Sequence, residues 1–239
     1  NCCNANGPRG FALIPRTALT FNDNKASLNL WLPLEADFRA GRVNVGVNVE
    51  TAYPLDGNVN VTLHPARPVE FTLALRVPEW AGGIFNVTLN GEPQACTAIK
   101  GYVSLTRKWK DGDVVAISMD LRTRVVELNS MQAVIRGPLV FARDSRFGDG
   151  FVDESAVIQA DESGCVDAVP SIAGDSFNWL DLQVPMVLGA NLEDPGEKSV
   201  RLIHFCDFAS AGNDWDRSGR YRVWIPKTLH VMSEPYHRY

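Results

Sequence analysis

Val43-Asn44-Val45-Gly46-Val47-Asn48-Val49-Glu50 reads as a single β-strand. Successive side chains of an extended chain point to opposite faces, so the four valines share one face while Asn44, Gly46, Asn48 and Glu50 share the other. β-Branched side chains, stiff at χ1, favour that pleated, half-buried geometry. Outward along the chain the same period returns in Val59, Val61 and Leu63, in Phe71, Leu73, Leu75 and Val77, and in Phe85, Val87 and Leu89. Each such strand has one apolar face that a second layer must cover, so the pattern predicts a layered, all-β architecture.

Turn chemistry falls between these runs. Asp56-Gly57, Asn90-Gly91 and Asp111-Gly112 are residue pairs that tolerate positive φ, and each predicts a hairpin. Val103-Ser104-Leu105 enters the last of them and Val115-Ala116-Ile117 leaves it. The expectation is an antiparallel β-sandwich over residues 21–121, with period-two patterning from about residue 27. A second antiparallel β-sandwich portion with long loops is expected over residues 122–239, containing Arg124–Leu128, Ala133–Ile135, Leu139–Phe141, Val200–Ile203 and Tyr221–Ile225. Within it, residues 144–198 are rich in Asp, Gly, Ser and Pro with only short apolar runs such as Leu182-Gln183-Val184, which predicts long loops and short edge strands. Helix is expected only over residues 8–14, where Pro8 suits a first helical position and Pro15 stops propagation, so residues 1–20 form a separate piece.

With 239 residues and 45% hydrophobic content the chain can bury a sizeable core. A formal charge of −5 without a basic block excludes the electrostatic footprint of a nucleic-acid binder and argues against an anionic membrane as partner. No apolar run approaches the roughly 18 residues of a membrane span, and the first residues lack the layout of a signal peptide. Five cysteines, at 2, 3, 96, 165 and 206, are an odd number without a repeating spacing and do not read as a disulfide framework. Cytoplasm and periplasm both fit, and oligomeric state is not legible.

The residues with chemistry in them are Cys2 and Cys3. Neighbouring cysteines are rarely bridged to each other, because the ring would strain the intervening peptide and the S–S torsion. Two thiolates side by side can instead hold a soft metal such as zinc. A tetrahedral site needs about four ligands, and no Cys-x-x-Cys or His-x-x-x-His follows, so any missing ligands are expected upstream of Asn1. The alternative is a pair of small buried hydrophobes. Asp214, Trp215 and Asp216, beside Arg217 and Arg220, could grip a sugar or simply form a solvated loop. Trp80 and Trp109, at strand ends, read as packing residues. His64, His204, His230 and His237 are too scattered for a metal site, and Asn60-Val61-Thr62 and Asn86-Val87-Thr88 read as polar strand positions rather than glycosylation sites.

Cys2-Cys3 with Asn6 and Arg9, then Ala52–Val59, Phe71–Trp80, Gly101–Leu105, Arg107–Asp113, Arg136–Val140 and Tyr221–Pro226, together resemble the carboxyl-terminal part of glycoside hydrolase family 127, which includes bacterial β-L-arabinofuranosidases. These blocks cover most of the chain in order; residues 144–198 match least. The resemblance implies an (α/α)6 catalytic barrel followed by β-sandwich domains, so that residues 1–20 are the remnant of a barrel lying upstream. It implies Cys2 as nucleophile and zinc contact and Cys3 as a second zinc ligand. The remaining ligands, a glutamate and a cysteine, and the acid/base glutamate then belong to the barrel. The implied partner is that barrel, the implied substrate a carbohydrate, and the isolated chain is expected to lack both zinc and activity. Two rival readings remain: a non-catalytic β-sandwich that supports a neighbour or binds carbohydrate, and a purely structural sandwich.

Overall fold

The computed structural model describes residues 2–22, 24–81, 84–149, 152, 154–174, 177–189, 200–213 and 219–227, excluding the side chains of Cys3 and Ala5. The chain divides into two compact units, residues 1–121 and 122–239.

Unit 1 opens with helix α1, Cys2–Thr17. This corrects the expectation of a helix confined to residues 8–14, because Pro8 and Pro15 both lie inside it. Each proline deletes one N–H from the helical ladder, so the helix crosses two missing bonds. It closes where the Thr17 hydroxyl donates to the Leu13 carbonyl (2.9 Å) and the Ala18 N–H to the Ile14 carbonyl (2.9 Å).

Ten strands follow among the described residues: β1 Leu19–Asn22, β2 Lys25–Leu28, β3 Leu34–Ala40, β4 Val43–Thr51, β5 Asn58–Pro65, β6 Val69–Arg76, β7 Phe85–Leu89, β8 Glu92–Pro93, β9 Tyr102–Trp109 and β10 Asp113–Met119. They form a four-stranded sheet in the order β1-β2-β6-β9 and a six-stranded sheet in the order β3-β4-β5-β10-β7-β8. Val45, Val47 and Val49 of β4 meet Phe71, Leu73 and Leu75 of β6 in one apolar core, as the alternation predicted. Phe71 packs edge-on to Phe38 (5.2 Å) and beside Trp109 (5.6 Å), whose indole N–H donates to the Phe71 carbonyl (3.0 Å). Pairing is antiparallel except between β2 and β6, which run parallel with Lys25 opposite Thr72.

The three predicted turns have three different natures. Asn90 and Gly91 take φ of 50° and 87° and join β7 to β8, a hairpin as expected. Asp111-Gly112 is a tight reversal with Gly112 at φ 80°, but β9 pairs with β6 while β10 pairs with β5 and β7, so the chain changes sheet there. Gly57 lies between β4 and β5, which do pair, yet it has no positive φ. A Cβ there would sit 2.1 Å from the Met119 carbonyl oxygen, so closeness of two backbones requires the glycine.

Unit 2 contains β11 Thr123–Leu128, β12 Met131–Arg136, β13 Leu139–Asp144, β14 Ala156–Ile158, β15 Ser171–Ile172, β16 Leu180–Leu188, β17 Val200–Asp207, β18 Tyr221–Arg222 and β19 Ile225–Pro226. The sheet path is β11-β12-β13-β17-β16-β14, with β15 on β16, β18 on β13 and β19 on β12. The path curls: Gln132 of β12 is buried, its amide donating to the Ala156 carbonyl and accepting from the Ile158 N–H (3.2 Å), which ties it to β14. The strand β16, nine residues long between β14 and β17, corrects the expectation of only short edge strands over residues 144–198. Pro185 is tolerated inside it because its missing N–H faces the side where β14 has ended. On that side its carbonyl accepts instead from the Gln159 N–H (2.9 Å).

Candidate functional site

Cys2 stands in the first turn of α1 and is exposed; Cys3 follows it in the same turn. Positions i, i+4 and i+7 share one stripe of a helix, so Cys2, Asn6 and Arg9 lie along one side of α1. The Arg9 guanidinium donates to the Asn6 side-chain oxygen (3.4 Å). Soft thiolate donors suit zinc, and two of them supply about half of a tetrahedral set. Among the described residues no group of three or more His, Cys, Asp and Glu side chains is placed to hold a metal ion. The donor chemistry at the cysteine pair therefore fits zinc, and the number of donors is incomplete.

Cys206 shows the opposite environment. It is fully buried in β17, and burial, assisted by Asp144 and Asp207 and opposed by Arg146, pushes its thiol up to about 12. It stays protonated at neutral pH and is no nucleophile. Around it lies a polar cluster that sequence reading missed. Burial alone would raise the Asp144 carboxyl, but hydrogen bonds from the Arg146 side chain and from the Arg146 and Gly212 N–H groups, with the Arg146 charge, hold it below the usual range. Asp207 accepts from the Leu180 N–H (3.0 Å), the Ser210 N–H (3.1 Å) and the Ser210 hydroxyl (2.7 Å). These bonds pin the loop after β17 to the starts of β16 and of the short turn after β13. Nothing in the local sequence marks these carboxylates as buried, since strand-end aspartates are ordinarily solvated.

The remaining candidates are dispersed. Trp80 stacks on Tyr53 (6.2 Å, 17°), and burial, opposed by Arg76, pushes the Tyr53 phenol up to about 12. Trp109 is buried in the unit 1 core. Asn60 and Asn86 occupy exposed strand positions in β5 and β7. His64 pairs with Asp111 on the surface (2.8 Å), whereas His204 sits between Asp149 and Gln183. Arg220 is exposed, its N–H donating to the Ser145 hydroxyl (2.9 Å). Asp214, Trp215, Asp216, Arg217, His230 and His237 lie outside the described residues. Among the described residues no helix is long and apolar enough to cross a membrane.

A solved structure described as a glycoside hydrolase superposes with a TM-score of 0.68 at 25% identity, covering 94% of this chain and 39% of that one. Residues 25–121, from β2 to the end of unit 1, match the Beta-L-arabinofuranosidase, GH127 middle domain family. The non-reducing end β-L-arabinofuranosidase of Bifidobacterium longum subsp. longum is 29% identical over 234 residues, 87% of this chain and 35% of that protein. A GH127 β-L-arabinofuranosidase from Geobacillus stearothermophilus T6 shares the fold, with a TM-score of 0.72 at 22% identity over 94% of this chain and 37% of that one. The chain is thus similar to glycoside hydrolase family 127 proteins, most directly over the middle domain at residues 25–121, and it spans little more than a third of the length of these relatives.

Proposed function

We propose that this chain is part of a retaining glycoside hydrolase that acts on β-L-arabinofuranosides, with Cys2 as its nucleophile. The observation that carries the reading is the adjacency of Cys3 to Cys2, itself exposed in the first turn of α1, in a chain whose residues 25–121 match this family's middle domain. Cys2 and Cys3 would hold zinc together with ligands from a barrel upstream. Bound zinc would favour the thiolate form at neutral pH. The Cys2 sulfur attacks the anomeric carbon while an acid from the barrel protonates the departing glycosidic oxygen. Water then attacks the same carbon and displaces the sulfur, and two inversions give retention. Cys2 thus takes the place of the second carboxylate of an ordinary retaining site. Because the acid and half the metal ligands come from outside, the chain by itself is inactive, and its two β units support the barrel.

The test uses the full-length parent protein and an aryl β-L-arabinofuranoside. Cys2→Ala abolishes hydrolysis because it removes the attacking sulfur, whereas Cys3→Ala weakens zinc binding and reduces turnover. Azide, as an external nucleophile, restores some turnover to Cys2→Ala with inverted stereochemistry and none to Cys3→Ala. Near-normal hydrolysis by Cys2→Ala would return the pair to the reading of simple thiols.

A further inference from the structure

Strands β16 and β17 present two unlike faces. Leu180, Leu182, Val184 and Met186 are buried with Ile203 and Phe205. The opposite face carries Asp181, Gln183, Leu202 and His204, and with Ser171 of β15 and the 167–169 stretch it lines a groove of ≈ 430 Å³. That volume lies in the range of small-ligand sites.

The polar atoms of the groove are held in place by neighbours outside it. The His204 ring stacks on Phe147 (5.3 Å, 28°). Asp149 Oδ2 accepts the His204 main-chain N–H (2.6 Å) and lies 3.4 Å from ring Nδ1. Gln183, directly opposite His204 in the ladder, places its amide nitrogen 3.2 Å from Nε2. The Gln183 amide and the Asp149 carboxylate thus approach the two ring nitrogens from opposite sides. The imidazole is thereby held in orientation.

The lining specifies the ligand. Asp167 and Asp181 contribute carboxylates, and among the described residues no lysine or arginine lines the groove, which disfavours an anion. The carboxylates, the Gln183 carbonyl oxygen and the Ser171 hydroxyl are acceptors suited to a ligand rich in O–H donors. Val169 and Leu202, 77% and 60% exposed, offer aliphatic surface to C–H groups. Hydroxyl donors around a C–H face, without charge, describe a neutral sugar. We infer that this groove on the open face of β15, β16 and β17 is a binding site for a neutral saccharide of one or two residues. The choice of a pentose as its natural occupant rests on the β-L-arabinofuranoside reading above.

The test is a titration of the 239-residue chain with a neutral L-arabinose disaccharide, followed by amide chemical shifts. Binding is expected to shift Gln183 and His204 amides. Gln183→Ala and Leu202→Ala, at exposed positions, should each weaken it about fivefold, the loss of one ordinary contact, with an unchanged melting midpoint. A galacturonic acid disaccharide of similar size should bind about tenfold more weakly or worse, because two carboxylates face its charge. Absence of binding by the unaltered chain, full affinity in both variants, or equal affinity for the uronide overturns the inference. So does calcium chloride shifting the same amides while the sugar does not, which makes the groove a cation site. The hydrolase reading fails separately: sugar binding here beside a parent indifferent to Cys2→Ala leaves the groove standing and removes the nucleophile.

Discussion

Replacing Gly57 by alanine puts a methyl carbon where the Met119 carbonyl oxygen already is. The built position lies 2.1 Å from that oxygen and 3.0 Å from its carbon, and both belong to backbone rather than to a side chain that could swing away. The two segments must part by roughly 1 Å to restore an ordinary contact. That displacement breaks the hydrogen bond from the Met119 N–H to the Gly57 carbonyl (3.0 Å) at the end of β10. Overpacking costs about 1–3 kcal/mol and a lost hydrogen bond about 1 kcal/mol, for a total of about 2–4 kcal/mol. In a unit of this size each kcal/mol lowers the melting midpoint by about 4 °C, so the expected shift is about 8–16 °C. Scanning calorimetry of the Gly57→Ala chain measures it directly. Gly41→Ala is the matched control, since Gly41 has φ +60° and open space around its Cβ, so only backbone strain of about 1 kcal/mol applies. A Gly57→Ala midpoint within about 2 °C of the parent, or a larger loss at Gly41, would refute the argument from backbone proximity.

Asp144 has a folded-state carboxyl held below its unfolded value near 3.9, so its stabilisation is present above about pH 4 and is lost as pH falls through the folded value. Asp144→Asn should therefore flatten the fall of unit 2 stability in acid, and urea unfolding at pH 6, 4 and 3 that stays parallel for the two proteins would count against it. Asn90→Ala removes two side-chain hydrogen bonds, to Asp113 (2.9 Å) and from the Val114 N–H (2.8 Å), and places alanine at φ 50°. A loss of about 2–4 kcal/mol in unit 1 is expected by chemical denaturation, and Asn90→Gly, which keeps the turn conformation, should lose less.

The valine alternation of β4 located a strand, its inward face and its partners in the core, because one buried face determines which residues point inward. Turn chemistry was less informative. Asp111-Gly112 specifies a reversal of direction, and a reversal is compatible with pairing inside one sheet or with stepping to another; only the tertiary core selects. Gly57 looked like a flexible turn residue, whereas its reason for being glycine lies with Met119, far away in sequence. The strand β16 was hidden by Asp181, Gln183 and Pro185, polar or breaking residues on the face that becomes the groove. The prolines of α1 led to a helix too short at both ends. For the site, Cys2 and Cys3 were legible because adjacent cysteines are chemically unusual. The Asp144–Arg146 and Asp207–Ser210 bonds and the His204 groove were not, because aspartate, serine and histidine look the same in sequence whether buried or solvated.

The parallel pair β2–β6 has a consequence for the order in which unit 1 assembles. Strands β3, β4 and β5 are consecutive and antiparallel, so their ladders close over short loops. Lys25, in contrast, must find Thr72, and Val69 must find Trp109 across β7 and β8. Loop closure grows costlier with length, and contacts distant in sequence form slowly. The β3-β4-β5 meander is thus the template, and the four-stranded sheet is laid on it afterwards, an order that amide protection during refolding would reveal as earlier shielding of β4 than of β2. Until the four-stranded sheet docks, Val45, Val47 and Val49 face water, and the unit passes through a stage whose open valine face invites association with other chains.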